Sequence, residues 1–477
     1  MQMPHSMCRF LILFFAVTLI IADVSSAKSS FQCQKAHRIF SNPGRDHVLD
    51  QRDWNTRYYG PQDSPRTNPG AYADLKYDYW LVDKDDPHLK ILGDISDIVT
   101  KKGKVLIVGD MHFEDSRAPY MQQKSSRILK SIFGEKRGEL TGHRHSSVRT
   151  ATIELPSGKG QVWLKMDGSY MTQVDKTLSK EDIKKSREAH KILKSSPLFL
   201  GEPGAVIVKG EDGEIVPMIL RQNPLRIVPD LEEGDHLATL HSVAANLNDY
   251  QAQADNLGLP RNEDPARLWF RNVGREKTVD AVFTAIADVV ITSVFDFGVH
   301  VAPHGQNMEF LISKKGRIKR YWQKDLQETK VDDWLADRFG LKLQDAEHLE
   351  RLTESQMRQW YQDYLRFDQQ AIVSSAEEFN QKMKVKLVER FKIWIEANQS
   401  RFRPFDMSSE LNQILETPME PGEVILQLRA LVLERVFRRT KLGWKRAFGG
   451  RGLANADLNQ LGQDRAQALI KPNAKVL

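Results

Sequence analysis

Cysteine is almost absent from this chain, with only Cys8 and Cys33 in 477 residues. Cys8 lies in an N-terminal apolar segment with the pattern of a cleaved leader, so one thiol remains after cleavage and an internal disulfide is excluded. The remaining chain has no long uninterrupted apolar run: its most apolar stretch, residues 281–302, contains Asp288 and Asp296. We therefore expect a buried helix or a helix–strand pair at this place, not a membrane span.

Several familiar catalytic motifs are missing as well. The sequence has no Cys-x-x-Cys pair, no nucleophile elbow and no Gly-x-x-x-x-Gly-Lys-Ser/Thr loop, so zinc-finger, serine-hydrolase and P-loop classes lack their usual signals. Hydrophobic residues make up 40% and charged residues 28% of the chain, a balance that excludes a fibrous or mostly disordered protein.

The excess of positive charge is small and confined to one stretch. The chain has 69 basic and 63 acidic residues, a net charge of +6. Residues 429–451 hold eight Lys or Arg against the single acid Glu434, so the rest of the chain is close to neutral. This distribution gives no support for a nucleic-acid partner. The basic stretch is either a solvated helix end and tail or a surface for anionic lipid or an acidic partner.

The first 27 residues have the layout of a secretory signal peptide. Arg9 precedes the apolar run of residues 11–22, and Ser25-Ser26-Ala27 supplies small residues at a cleavage site. The run is shorter than the ~20 residues of a spanning helix. We expect cleavage after Ala27, export to the periplasm and no stable membrane span in the mature chain. The alternative is a retained N-terminus and a protein on the cytoplasmic side.

Turn and periodicity signals divide the remaining chain into three regions. Residues 28–140 are rich in Pro, Gly, Asp and Tyr and predict an irregular N-terminal region. Residues 141–230 predict β-hairpins around turn signals such as Asp212-Gly213. Residues 231–477 predict a helical domain with one hairpin and a basic C-terminal tail. The expected fold class is α+β.

Polar residues at the ends of the predicted middle strands suit an anionic ligand. Ser147 and Arg149 enter one strand, Lys165 lies at the end of its partner, and Thr172 follows in the loop. Hydroxyls donate hydrogen bonds and cations neutralise charge, which suits a polyphosphate or a carboxylate. The alternative is an exposed strand face with ordinary polar residues. Arg221 closes another apolar strand, where it could clamp an anion or pair with an acid.

A further group lies around the predicted hairpin of the helical half. His304-Gly305-Gln306-Asn307 precedes this hairpin and Asp325 follows it, so both reach the same end. Asn and Asp oxygens suit Mg²⁺ that carries nucleotide phosphates. A turn with a capping Asn is the alternative. Residues 110–115 also combine Asp, His and Glu at a strand end, where they predict either a metal site or a solvated loop.

Taken in order, these elements resemble the IucA/IucC family of NRPS-independent siderophore synthetases. The likeness extends over residues 141–330, with weaker helical similarity to about residue 445, and its most specific part is the His-x-Gln-Asn motif with the downstream Asp. The motifs that carry it are Ser147-Val148-Arg149-Thr150, Lys165, Thr172 with Lys176, Ile219-Leu220-Arg221 with Pro224, Gly298, His304 to Asn307, and Lys324-Asp325.

The resemblance implies a hand-like fold with β-rich fingers, a helical palm and a reduced N-terminal thumb. ATP and Mg²⁺ would lie between fingers and palm, where a carboxylate of a citrate-like polycarboxylate is adenylated and then attacked by an amine or alcohol. The resemblance implies catalytic roles for His304, Lys165 and Arg149, and a magnesium contact for Asp325. It implies contacts to the nucleotide or acyl-adenylate from Ser147, Thr172, Lys176, Arg221, Gln306 and Asn307.

Two other functions remain open on the sequence. His-x-x-Asn followed by Asp also resembles the catalytic and metal loops of small-molecule kinases, although no Asp follows His304 within the loop, where the base normally lies. The third hypothesis is an exported protein that binds an anionic ligand, such as a citrate-type chelate, without catalysis. A homodimer is left open.

Overall fold

The computed structural model combines one large antiparallel sheet with a helical half that carries two small sheets, which confirms the expected α+β class. It describes residues 75–112, 124–144, 150–156, 160–167, 177–232, 235–240, 273–313, 315–333, 335, 346–367, 372–398 and 406–433.

The large sheet has eight strands, and every neighbouring pair in it is antiparallel. The strands are β1 (Leu75–Asp83), β2 (Leu89–Gly93), β3 (Lys104–His112), β4 (Gly138–Arg144), β5 (Thr150–Glu154), β6 (Gln161–Met166), β7 (Gly204–Lys209) and β8 (Ile215–Arg221). Their order across the sheet is β2-β7-β8-β6-β5-β4-β1-β3. The hairpins predicted from the middle of the sequence are confirmed as β5–β6 and β7–β8.

Both faces of the central strands are covered, which explains their nearly continuous apolar sequences. Successive side chains of a strand point to opposite faces. Val206 and Val208 of β7 accordingly pack in the core beneath helix α1 (Lys124–Phe133). Ala205 and Ile207 pack on the other face, against Ile183 of helix α2 (Lys180–Leu193). The sheet also curls. This is shown by the contact between the edge strand β3 and strand β8, in which the N–H of Val108 donates to Sδ of Met218 over 3.3 Å.

The prediction of an irregular region does not hold for residues 75–98 and 124–140, which supply β1, β2, α1 and the start of β4. The alternation in β1 is interrupted by a register shift between Tyr77 and Tyr79. The buried residues of β1 are consequently Tyr77, Trp80 and Val82, a spacing that hides the period of two. Residues 28–74 lie outside the described residues.

After the large sheet, the described residues form one short and five longer α-helices. They are α3 (Pro224–Ile227), α4 (Arg275–Phe297), α5 (Glu354–Tyr364), α6 (Ala376–Ala397), α7 (Ser408–Glu416) and α8 (Pro421–Leu431). Thr353 precedes α5 and donates its N–H to Oε1 of Gln356 over 2.9 Å, as in a capping box.

Helix α4 is the centre of the helical half. It is followed by strand β10 (Val299–His300), which confirms the predicted helix–strand pair. In the described part of the chain α4 alone is long and apolar enough to span a membrane, and 78% of its apolar window is buried inside the protein. Its two acids have partners within the fold, because Asp288 accepts from Arg390 and Asp296 accepts from Nε1 of Trp394 over 2.6 Å.

Two three-stranded sheets complete the helical half. One consists of β9 (His236–Thr239), β11 (Met308–Ile312) and β12 (Ile318–Gln323), and the β11–β12 pair is the predicted hairpin. The other consists of β10, β13 (Lys330–Asp332) and β14 (Arg351–Leu352).

The basic stretch of residues 429–451 begins in the core. Arg429 is only 4% exposed, and its Nε donates to Oδ2 of Asp332 on β13 over 2.5 Å. Burial raises the pKa of Asp332, but the hydrogen bonds from His300 and Arg429 hold this pKa well below its usual range. Arg429 is therefore a structural residue, and residues 434–451 lie outside the described residues.

Candidate functional site

The segment that links α2 to β7 joins the large sheet to the hairpin of the helical half. Gln323, at the end of β12, donates its N–H to the carbonyl of Leu198 and accepts from the N–H of Leu200, both over 2.8 Å. The same segment bonds to the end of β8, because Gln222 donates its N–H to the carbonyl of Gly201 over 2.7 Å. The ends of β8 and β12 are thereby held side by side.

Lys165 and Asp325 meet at this junction. Lys165 lies near the end of β6 with a fully buried side chain, and its ammonium donates to Oδ1 of Asp325. The N–H of Lys324, the residue before Asp325, donates to the carbonyl of Asn307 over 2.8 Å. The end of the middle hairpin and the His304–Asn307 turn are therefore held close together through Lys324 and Asp325.

The backbone of Asp325 is held in an unfavourable conformation. With φ 65° and ψ 66° it is the one described residue other than glycine with a positive φ. Left-handed backbone is uncommon for residues with a Cβ atom and is concentrated at functional sites. The hydrogen bond of Lys324 before it and the 3₁₀ turn Leu326–Glu328 after it fix this geometry. The turn directs the Asp325 carboxylate to Lys165.

The side chain of Arg221, at the end of β8, also lies at this junction, but its hydrogen bonds go to Glu202 and Thr150. Its Nε and Nη2 donate to Oε1 of Glu202 over 2.9 and 2.6 Å, and its Nη1 donates to Oγ1 of Thr150 over 2.7 Å. Nη2 also lies 3.5 Å from Oδ1 of Asp325. Burial works against the charge, but Glu202 and Asp325 outweigh it and raise the pKa of Arg221. The cofactor contact implied for Arg221 stays a prediction.

Glu202 is a site residue that the sequence did not reveal. It lies in the link between α2 and β7, where no periodicity or motif singles out one acid, and its side chain is fully buried. Its Oε2 accepts from the hydroxyl of Ser186 on α2, and its carbonyl accepts from Nη1 of Arg187 over 2.8 Å. Glu202 is thus fixed from the helix side while it binds Arg221 on the sheet side.

A second buried pair stands beside the first. Lys324 is fully buried and donates to Oε1 of Glu309 on β11, which is 3% exposed. Lys165, Arg221 and Lys324 are thus each balanced by a carboxylate, from Asp325, Glu202 and Glu309. Buried charges persist only when they are paired and hydrogen-bonded. An anion that enters here must therefore draw a cation away from a carboxylate or bring its own cation.

His304 lies at the edge of this charge cluster on a half-buried turn. Its ring stacks on Tyr364 of α5, with centroids 5.6 Å apart and planes at 24°. The backbone N–H of Gln306 donates to Nδ1 of His304 over 3.3 Å, which requires a lone pair on that nitrogen. In a neutral imidazole this bond places the hydrogen on Nε2.

Asn307 is almost completely buried beside it. Its Nδ2 donates to the carbonyl of Ala302 over 3.3 Å, which directs the side-chain oxygen away from that carbonyl. Asn307 and Asp325 each carry a hard oxygen donor, and the backbone bond from Lys324 to Asn307 brings their segments together. Gln306 is half-buried on the same turn. Mg²⁺ is typically held by one or two protein oxygens together with substrate phosphates, so these residues fit an ion that arrives with a nucleotide.

Four of the predicted site residues lie outside the described residues: Ser147, Arg149, Thr172 and Lys176. Residues 113–115 of the predicted metal site or solvated loop also lie outside the described residues, and Asp110 is its one described acid. Asp110 accepts the N–H of Ser126 over 2.9 Å and so caps the first turn of α1. No group of three or more metal-ligating side chains occurs in the described part of the chain.

Comparisons with solved structures identify the architecture. Aerobactin synthetase IucC from a hypervirulent pathotype of Klebsiella pneumoniae matches with a TM-score of 0.50 and 16% identity over 78% of this chain and 73% of its own. Petrobactin biosynthesis protein AsbB from Bacillus anthracis str. Sterne matches with a TM-score of 0.50 and 14% identity over 77% of this chain and 71% of its own. No family model and no curated protein sequence matches the chain.

The chain therefore has the fold of the siderophore synthetases. The hand-like architecture implied by the resemblance to the IucA/IucC family is confirmed at the level of the fold. At these identities the likeness is one of architecture, and the chemistry has to be argued from the residues of this chain.

Proposed function

We propose that this protein is an ATP- and Mg²⁺-dependent ligase that adenylates a carboxylate of a small, citrate-like polycarboxylate and transfers the acyl group to an amine or alcohol. The observation that carries the proposal is the ion pair between Lys165 and Asp325. It brings an ammonium from the large sheet and a carboxylate from the hairpin of the helical half to one place, on a fold shared with siderophore synthetases.

The chain's own residues would act mainly through charge and orientation. A carboxylate becomes a good electrophile only when one of its oxygens can leave as AMP, and this requires the alignment of two anions against their repulsion. Lys165 would turn from Asp325 to the incoming phosphate or carboxylate. His304 would donate a hydrogen bond from Nε2 to a phosphate oxygen and stabilise charge there.

Magnesium fits this arrangement as a companion of the nucleotide. Asp325 would hold the ion together with the side-chain oxygen of Asn307, and nucleotide phosphates would provide the remaining oxygens. When bound, the ion supplies positive charge that neutralises the triphosphate and the leaving pyrophosphate. Gln306 and the motif residues Ser147, Arg149, Thr172 and Lys176 would complete the contacts to the nucleotide or acyl-adenylate.

Product analysis tests the proposal. The protein is incubated with ATP, Mg²⁺, citrate and a short diamine, and nucleotides, pyrophosphate and new amides are quantified. We expect equal amounts of AMP, pyrophosphate and amide, and a loss of all three in Lys165→Met. Lys382→Met is the control, because it removes one lysine charge from an exposed pair with Glu276. ADP formation would instead indicate the kinase-like alternative, and unchanged ATP would contradict both enzymes.

A second candidate is an exported protein that binds a citrate-type anion without catalysis, which the signal-peptide layout of residues 1–27 favours. ATP is scarce outside the cytoplasm, so export would separate the protein from its proposed cofactor. The mature N-terminus and a cell fractionation distinguish the two. A periplasmic chain that begins at Lys28 and binds citrate without turnover of ATP supports this candidate, whereas a cytoplasmic chain that retains residues 1–27 contradicts it.

A further inference from the structure

Two cations of the site compete for the carboxylate of Asp325. The Lys165 ammonium bonds to its Oδ1 directly, and Nη2 of Arg221 lies 3.5 Å from the same oxygen. A guanidinium has five donors in a planar fork and commonly binds a carboxylate at two points, with distances of about 2.7–2.9 Å. Arg221 does not bind Asp325 in this way, although it lies close enough for a small rotation to bring it into contact.

Glu202 accounts for this restraint. It takes two of the Arg221 donors, Nε and Nη2, on a single oxygen, and Thr150 takes Nη1. Glu202 is itself held by the Ser186 hydroxyl. Glu202 and Thr150 therefore take the hydrogen bonds of the guanidinium, and Asp325 keeps Lys165 as its closer cationic partner.

We propose that Glu202 is a positioning residue that keeps Asp325 accessible to a divalent cation by holding Arg221 away from it. The proposal rests on the proposed function, in which Asp325 meets the Mg²⁺ of the nucleotide. If Glu202 loses its charge, Arg221 turns its fork to Asp325, and the site becomes more positive by one unit. Both changes weaken the binding of a divalent cation.

The same two changes strengthen the binding of a metal-free polyphosphate. A site with one more positive charge attracts a bare triphosphate more strongly, and a neutralised Asp325 no longer repels it. Loss of local structure would instead lower the affinity for both ligands, Mg²⁺–ATP and metal-free ATP. The ratio of the two affinities, measured on one variant, therefore separates a positioning role from a structural one.

The experiment compares the full-length wild type with Glu202→Gln by calorimetry, using ATP in EDTA and ATP in excess Mg²⁺. Partners of this kind typically contribute 10–100-fold to metal affinity. We expect the affinity of Glu202→Gln for Mg²⁺–ATP to fall about tenfold, while its affinity for metal-free ATP stays equal or rises. Electron paramagnetic resonance of Mn²⁺ bound with ATP provides a second readout that does not depend on turnover.

A milder variant covers the case in which Glu202→Gln fails to fold. Thr150→Val removes the acceptor of Arg221 Nη1 and keeps the β-branched shape that suits a strand. We expect Thr150→Val to change the ratio of the two affinities in the same direction as Glu202→Gln, but by less. Asp288→Asn is the matched control, because it neutralises a comparably buried carboxylate that pairs with Arg390 and Tyr321. We expect the ratio of its affinity for Mg²⁺–ATP to its affinity for metal-free ATP to equal that of the wild type.

The possible failures are distinguishable. If the wild type binds both forms of ATP and the ratio in Glu202→Gln and Thr150→Val is unchanged, Glu202 is structural and this proposal is overturned by itself. A parallel loss of both affinities has the same meaning. If the wild type binds neither form, the proposed function is overturned, and the role of Glu202 is overturned with it.

Discussion

The imidazole of His304 lies nearly parallel to the ring of Tyr364, with centroids 5.6 Å apart and an interplanar angle of 24°. Tyr364 is in turn packed on Trp360, one turn earlier on α5, with centroids 4.3 Å apart. Trp360 donates its Nε1 hydrogen to the carbonyl of Val301 over 3.4 Å. The helix thus contacts this segment at Val301 and at His304. We infer that the orientation of this imidazole depends on α5.

Removal of the stacking ring should impair the site without unfolding the protein. In Tyr364→Ala the imidazole loses the surface that sets its plane, and a misplaced catalytic group commonly lowers the rate on the order of 10- to 100-fold. We expect a fall of this size in the rate of pyrophosphate release. Tyr364→Phe keeps the ring and should retain most of the rate. Equal activity of the Ala and Phe variants would show that the stack does not orient His304.

The pair formed by Lys165 and Asp325 should be strongly coupled in stability. Removal of one member leaves the other charge buried without its partner, which typically costs about 3–5 kcal/mol, whereas removal of both can be nearly neutral. We expect Lys165→Met and Asp325→Asn each to lower the free energy of unfolding, and the double variant to lose less than the sum. Urea denaturation of the four proteins measures the coupling. Additive losses would contradict a direct ion pair.

The sequence singled out part of the candidate site because its polar residues stand at strand ends with recognisable spacing. Lys165, Asn307 and Asp325 were expected together, and they meet through the ends of β6 and the β11–β12 hairpin. Glu202 was not predictable, because its partner Arg221 is 19 residues away and only the tertiary path of the link between α2 and β7 brings them together. A buried ion pair leaves no periodic signal in either strand.

The N-terminal part of the sheet shows a different limit of sequence reasoning. Strand β1 was hidden because the register shift between Tyr77 and Tyr79 moves the buried side chains from alternate positions to Tyr77, Trp80 and Val82. Periodicity detects a strand only while the register is continuous. The turn residues nearby then favoured an irregular interpretation of a segment that supplies a central part of the core.

Close packing around Gly204, the first residue of β7, predicts that a side chain added there destabilises the fold. A Cβ atom added there would lie 2.0 Å from the carbonyl oxygen of Asp94, a backbone atom that cannot move aside cheaply. We expect Gly204→Ala to lower the free energy of unfolding by about 1–3 kcal/mol, as overpacking does elsewhere. Gly210→Ala on the same hairpin is the control, since its nearest contact would be 3.4 Å. Chemical denaturation compares the two, and equal stability would contradict the close approach.

His190 on α2 predicts a pH dependence of stability. Burial of the imidazole, together with the positive charge of Arg187, lowers the pKa of His190 to about 4, although Glu202 opposes the shift. Nδ1 of His190 has no hydrogen-bond partner within the described part of the chain, and the ring lies against Gly201. The folded protein therefore keeps this ring neutral at a pH where the unfolded chain, with a histidine pKa of about 6.5, is protonated.

The direction of this pH dependence follows from the number of protons that His190 binds in the folded and unfolded states. Between about pH 6.5 and pH 4 the unfolded state binds more protons than the folded state at His190, so the free energy of unfolding falls as the pH falls through this window. We expect His190→Gln to flatten that part of the profile, because its amide does not titrate. Urea denaturation between pH 4 and pH 7 measures both proteins, with His88→Gln as the control at a histidine bonded on the surface to the carbonyl of Lys209. A variant profile as steep as that of the wild type would assign the acid sensitivity to other groups.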